Sequence, residues 1–254
     1  MYDICPKCQH QRRADDQTDP NTCPACGVIF SKWLKSQLGS SVSEKSVAKQ
    51  STNKLAGILP LLANCLLPEE KATNPVVFWS RVALYIGLFI WGWNFILMDF
   101  VNNPWQIGNS YMHNINLVFH EAGHVFFRPF GWFMMILGGS LFQIIMPLIV
   151  TFTFLIKNSN AFGASVGLWW TGQSFIDLTP YIDDAQIQQL VLLGGHTGAD
   201  APGSHDWNNI LSEFDMIDRH REVSNFAHNS GILLILLALF WGGFVLYRQF
   251  RTLS

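Results

Sequence analysis

Runs of apolar residues long enough to cross a hydrocarbon core recur along most of the chain, and they restrict it to helices that close their own hydrogen bonds. A core of ~30 Å takes ~20 helical residues, and an open sheet edge cannot be satisfied inside it. Val76 to Met98, Trp132 to Ile156, Ala161 to Thr179 and Gly231 to Tyr247 are such runs. Met112 to Arg128 is a further one, overlapping the apolar stretch Ile115 to Phe133 but carrying ionisable side chains. With 49% hydrophobic and 13% charged residues, the chain is too apolar for an ordinary soluble domain. The sequence predicts an all-α polytopic membrane protein with about five transmembrane helices. Asn102-Asn103-Pro104 and Pro129-Phe130-Gly131 punctuate the helices, and Pro180 should break or kink one. Gly163, Ala164, Gly167 and Gly172 permit close helix approach. No internal repeat is apparent.

The first 34 residues differ in kind. Cys5-Pro6-Lys7-Cys8 and Cys23-Pro24-Ala25-Cys26 are two matched pairs, the spacing with which tight turns aim four thiolates at one tetrahedral ion. The start of the chain lacks a basic, then apolar, leader, so these cysteines are expected in the reducing cytoplasm, where zinc is favoured over disulfides. A segment of this size cannot bury a sufficient core, so the metal would supply its folding energy. Such a ribbon is either purely structural or a docking site for a protein partner. Residues 35–74 are Ser-, Lys- and Gln-rich at first, which reads as a flexible linker, with Leu55 to Leu67 as a short interfacial helix. The domain from 75 to 254 is the membrane region. A net charge of −2 without a basic stripe argues against a nucleic-acid partner.

Within that region, His120-Glu121-Ala122-Gly123-His124 places two imidazoles one helical turn apart on one face, where both reach one metal ion. Glu121 beside them is placed to take a proton from water. Three ionisable groups at membrane depth are costly and mark function. Two histidines leave a tetrahedral zinc short of a protein ligand, and Asp177, Asp183 and Asp184 compete for the place. His205 or Asp206, in Gly203-Ser204-His205-Asp206-Trp207, could also reach the ion or close over it. On the third run, Gln143 could bind a developing oxyanion, while Gly138 and Gly139 either admit a substrate strand or pack helices. Asn116 and Gln173 are further candidates for substrate contact. His113 lies on the motif face, at the helix entrance.

The motif, followed two helices later by Asp177-Leu178-Thr179-Pro180-Tyr181-Ile182-Asp183-Asp184-Ala185, resembles the site-2 protease class of intramembrane zinc metallopeptidases. In that class an Asp-Gly pair after a proline-containing kink supplies the third ligand. The resemblance implies that Asp184, followed here by Ala185 rather than Gly, takes that role, ahead of Asp177 and then His205. It also implies hydrolysis of a membrane protein or peptide substrate within or beside the bilayer, with Glu121 as general base and later proton donor. One zinc ion would then be catalytic and one structural. The other readings are a membrane peptidase that cleaves soluble or lipidated tails, a non-proteolytic membrane metalloprotein, and a silent scaffold whose ribbon binds a partner. Lys54, Lys71, Arg81, Arg128, Arg219 and Arg221 fall on the cytoplasmic side if the N-terminus does, against Lys157, Arg248 and Arg251 outside.

Overall fold

The computed structural model describes residues 3–13, 15–40, 66–67 and 74–253, which belong to two compact units, Met1–Leu62 and Ala63–Ser254. The proposed linker and the interfacial helix at Leu55 to Leu67 lie outside the described residues, apart from Leu66, Leu67 and the linker's two ends.

The first unit is built from two similar knuckles. The amide of Gln9 donates to the carbonyl of Cys5, and that of Gly27 to the carbonyl of Cys23. Gln9 and Gly27 both take a left-handed backbone, with φ of 60° and 68°. Each knuckle closes with a bridge, Ile4 to Gln11 and Thr22 to Ile29. The two are therefore a short repeat, of which the sequence shows the paired Cys-Pro-x-Cys turns. The helix α1 (Phe30–Ser40) follows and passes the expected boundary at residue 34. Phe30 is buried against Cys5 and Cys23, the small apolar floor of the unit.

The regular elements of the second unit are all helices among its described residues, and the loop at 184–205 carries one isolated bridge, Val191 to Thr197. Its elements are α2 (Pro75–Ile96), a single turn α3 (Trp105–Gly108), α4 (Tyr111–Phe127), α5 (Trp132–Phe152), α6 (Ala161–Asp183), α7 (Asp206–Glu213) and α8 (His220–Arg251). Polar residues set the starts. Asn74 accepts from the amide of Val76, Ser110 from His113 and Asn160 from Gly163, each satisfying an orphan donor of a first turn. Three helical stretches are long and apolar enough to cross a membrane: Pro75–Ile96, Trp132–Lys157 and Ile217–Arg251. The motif helix α4 has only 17 residues, and α6 combines buried polar groups with its apolar ones, so neither joins these three.

α6 is the central element, buried along most of its length, with α8 and α5 against it and α4 packed on α5. Close crossings hold this arrangement. A Cβ added at Gly123 would lie 2.1 Å from the carbonyl oxygen of Gly138, so α4 and α5 meet backbone to backbone. Gly172 and Gly231 serve the same purpose between α6 and α8.

Two expectations of helix ends are corrected. Pro180 does not break α6. Its ring is buried, the helix needs less than one further turn beyond it, and the amide of Asp184 closes that turn on the Pro180 carbonyl. The last helix begins near His220 rather than Gly231, because no glycine or proline interrupts the polar segment that leads into it. Arg221 reaches Asp183 at 2.7 Å and His220 approaches the same carboxylate at 3.7 Å, which ties α8 to the end of α6.

Candidate metal centre

In the first unit the four cysteine sulfurs lie within 4.8 Å of one another. Cys5 and Cys26 are 3.8 Å apart, and Cys8 and Cys23 are 3.7 Å apart. A disulfide would need ~2.05 Å. Bonds of ~2.3 Å around a tetrahedral ion put sulfurs ~3.8 Å apart, so the cluster has the dimensions of a four-thiolate metal site. Burial raises the Cys5 thiol, but amide donation from Cys8 and Lys7 outweighs it and brings the group to about 6, while for Cys8 the His10 amide is outweighed by the neighbouring sulfurs and burial, which push it up to about 12.

In the second unit, α4 delivers His120 and His124 to one place, and the start of α7 brings a carboxylate to meet them. Asp206 Oδ2 lies 3.0 Å from His120 Nε2 and 3.3 Å from His124 Nε2. The outer ring nitrogens decide what this means. His124 Nδ1 is 2.8 Å from the Met135 carbonyl, which only accepts, so Nδ1 carries the hydrogen. His120 Nδ1 faces Gln143 Oε1 at 3.2 Å, another acceptor. Neutral rings so held turn two lone pairs toward a carboxylate, and only a proton or a cation can keep three acceptors together. Ligand atoms on a tetrahedral zinc at ~2.0–2.1 Å would be ~3.3 Å apart, which these separations match closely. When protons occupy the place, burial pushes the Asp206 carboxyl up, but hydrogen bonds from His120 and His124 outweigh it and hold it at about 2.

Asp206 is fixed by its surroundings. His205 Nδ1 accepts from the amide of Asn208 and caps α7, its ring packed on Tyr181 at 4.3 Å between centroids. The amide of Asp206 donates to the Tyr181 hydroxyl at 2.9 Å. Trp207 Nε1 donates to Ser140, and the side-chain amide of Asn208 to the Ala185 carbonyl, which pins the segment to α5 and α6. Gly139 leaves room for the rings, since a Cβ there would lie 2.6 Å from Nε2 of both His120 and His124. A cavity of about 550 Å³ opens beside the cluster. Glu121, Tyr181, Asp206 and both motif histidines line it with apolar Leu117, Leu178, Leu190 and Leu193.

The expected third ligand, Asp184, is elsewhere. It accepts the amides of Gln189 and Leu190 at 2.8 and 2.9 Å and faces His205 Nε2 at 3.3 Å. Because α6 continues through Pro180, Asp184 caps the helix end and anchors the following loop instead of turning into the site. Asp177 is spent on His113 at 3.1 Å and Gln143 at 3.0 Å. His205 carries the capping role just described, so the alternatives Asp177 and His205 both have other partners. Asn116 and Gln173 are buried and bonded to each other at 2.8 Å, with Trp170 also donating to Asn116, so they lock α4 to α6. His113, Tyr181 and His196 also line the cavity. Nothing in the local sequence connects His113 with Asp177, whose pairing depends on helix packing.

Compared with protein-family models, curated proteins and solved structures, the chain matches none.

Proposed function

We propose that this chain is a zinc-dependent, membrane-embedded endopeptidase of the site-2 protease kind. The observation that carries the reading is the convergence of His120, His124 and Asp206 beside Glu121 on one cavity enclosed by helices. Zinc held by these three residues would polarise a peptide carbonyl and make water nucleophilic at neutral pH. Glu121 takes the proton of the attacking water and returns it to the departing amine. The cavity's apolar half accepts the side chains of an unwound transmembrane or juxtamembrane segment. Three long apolar helices support a membrane location. In this reading α4 and α6 also cross the bilayer, their polar groups turned to protein and cavity, which gives five crossings with a cytoplasmic N-terminus. The four-cysteine unit holds a structural zinc and offers a surface to a protein partner.

The test is cleavage of single-span peptides by the purified protein in phospholipid bilayers, followed by mass spectrometry. Cleavage should stop with a chelator and return with zinc. Glu121→Gln should lower turnover by ~10²–10⁴-fold while both zinc ions stay bound, since the carboxylate moves a proton and is not a ligand. Cleavage by Glu121→Gln at the normal rate, or none by the wild-type protein that depends on metal, overturns the proposal.

A further inference from the structure

A buried chain of polar side chains runs away from the histidine pair and is not needed to hold an ion. Gln143 on α5 accepts from His120 Nδ1 through Oε1, at 3.2 Å. Its amide nitrogen donates to Asp177 Oδ2 on α6 at 3.0 Å and to the Ser174 carbonyl at 3.4 Å. Asp177 Oδ1 in turn meets His113 Nδ1 on α4 at 3.1 Å. Gln143 and Asp177 are 3% and 4% exposed, so water does not compete for these contacts.

An amide can face a histidine with either end, and the two choices have opposite consequences. With oxygen toward the ring, Nδ1 holds the hydrogen and Nε2 offers a lone pair to the metal side. With nitrogen toward the ring, the tautomer reverses and Nε2–H blocks coordination. An ionised carboxylate only accepts, so Asp177 holds the Gln143 nitrogen on its own side and thereby selects the first arrangement. Both amide hydrogens of Gln143 are then engaged, which removes it as the oxyanion donor that its sequence position suggested. A glutamine does not pass protons readily, so the chain positions and does not conduct.

Resting on the reading of His120 as a ligand, we infer that Asp177 and Gln143 form a positioning relay that sets the metal-binding tautomer of His120, with His113 pairing the relay's carboxylate at the cavity wall. Outer partners of this kind commonly govern metal affinity by ~10–100-fold.

Cobalt titration of the full chain tests this, the thiolate site being told apart by its sulfur charge-transfer band. Gln143→Met should weaken the histidine site by ~10–100-fold and leave the cysteine site unchanged. Gln143→Glu combined with Asp177→Asn exchanges carboxylate and amide, keeps an acceptor toward His120, and should hold affinity near the wild-type value. The ¹⁵N shifts of His120 in zinc-free Asp206→Ala protein, where no carboxylate faces Nε2, should report Nδ1–H at a pH where the ring is neutral, and the exchanged pair on the same background should report it too. Undiminished cobalt affinity in Gln143→Met overturns the relay while the enzyme reading stands. If Gln143→Met fails to fold, loss of affinity or an Nε2–H tautomer in the folded exchanged pair overturns it equally. A wild-type protein that fills only the cysteine site removes the enzyme reading, and the tautomer measurement still decides whether the relay exists.

Discussion

The four-cysteine cluster and the His120, His124, Asp206 cluster reach similar ligand geometry by opposite routes. The cysteines come from two knuckles whose turns are local, each needing only a few residues and one left-handed position, Gln9 or Gly27. The floor beneath them consists of little more than Phe30, so a metal held by the four thiolates would supply the unit's folding energy. Asp206 is 86 residues from His120 in sequence and meets it through Tyr181, Ser140, Ala185 and the packing of α4 on α5. There the packing of the helices would come first and an ion would fit into it. A metal site can thus be a cause of folding or its product, and each kind should fail differently.

The largest difference should appear on removing thiolates. Cys5→Ser with Cys8→Ser forfeits zinc binding energy on the order of 10 kcal/mol, more than so small a unit can replace. Proteolysis should then cut before Lys35, while zinc content falls from two ions to one. Loss of both ions together would break the comparison. A smaller effect is expected at the second site. Asp206→Ala should weaken its zinc by more than the ~100-fold typical of an outer partner, yet leave helicity intact by circular dichroism. Asp184→Ala should keep the ion while it loosens the loop at Gln189 and Leu190 and frees His205 Nε2. If the metal leaves with Asp184→Ala and stays with Asp206→Ala, the site is assembled from α6 and not from α7.

This contrast also explains what could be read from the sequence. Cys5, Cys8, Cys23 and Cys26 are legible because the spacing itself encodes the turn. His120 and His124 are legible because helical periodicity puts them on one face. The helix starts at Asn74, Ser110 and Asn160 follow from capping chemistry, and the long apolar runs from composition. The third ligand was not legible beyond a set of candidates. Asp177, Asp184 and Asp206 all follow the motif, and only tertiary packing separates a relay carboxylate, a loop anchor and a residue facing the histidines. Pro180 lies in the last turn of α6, where packing on every side holds the backbone helical to Asp183 against proline's local preference, and packing is not written in the local sequence. The expectation of Asp184 placed it beyond a helix interruption at Pro180, whereas α6 runs unbroken to Asp183.

The smallest effect tests the packing on which the second site depends. Replacing a helical glycine by alanine ordinarily stabilises by ~0.5–1 kcal/mol through the unfolded chain and helix propensity. Gly87 on α2 has nothing within 4 Å of an added Cβ, so Gly87→Ala should show that gain or no change. At Gly123 the same methyl would lie 2.1 Å from the Gly138 carbonyl and 2.7 Å from Cβ of Phe142. Backbone cannot step aside as a side-chain tip can, so α4 and α5 must separate. Overpacking of this kind costs ~1–3 kcal/mol, which outweighs the propensity gain. Gly123→Ala should therefore lower the unfolding midpoint in detergent and, because α4 carries His120 and His124 while α5 carries Gln143 and the Met135 carbonyl, weaken the histidine zinc as well. The cysteine site should not respond. An unchanged midpoint and unchanged zinc affinity in Gly123→Ala would mean that the histidine site does not depend on this crossing.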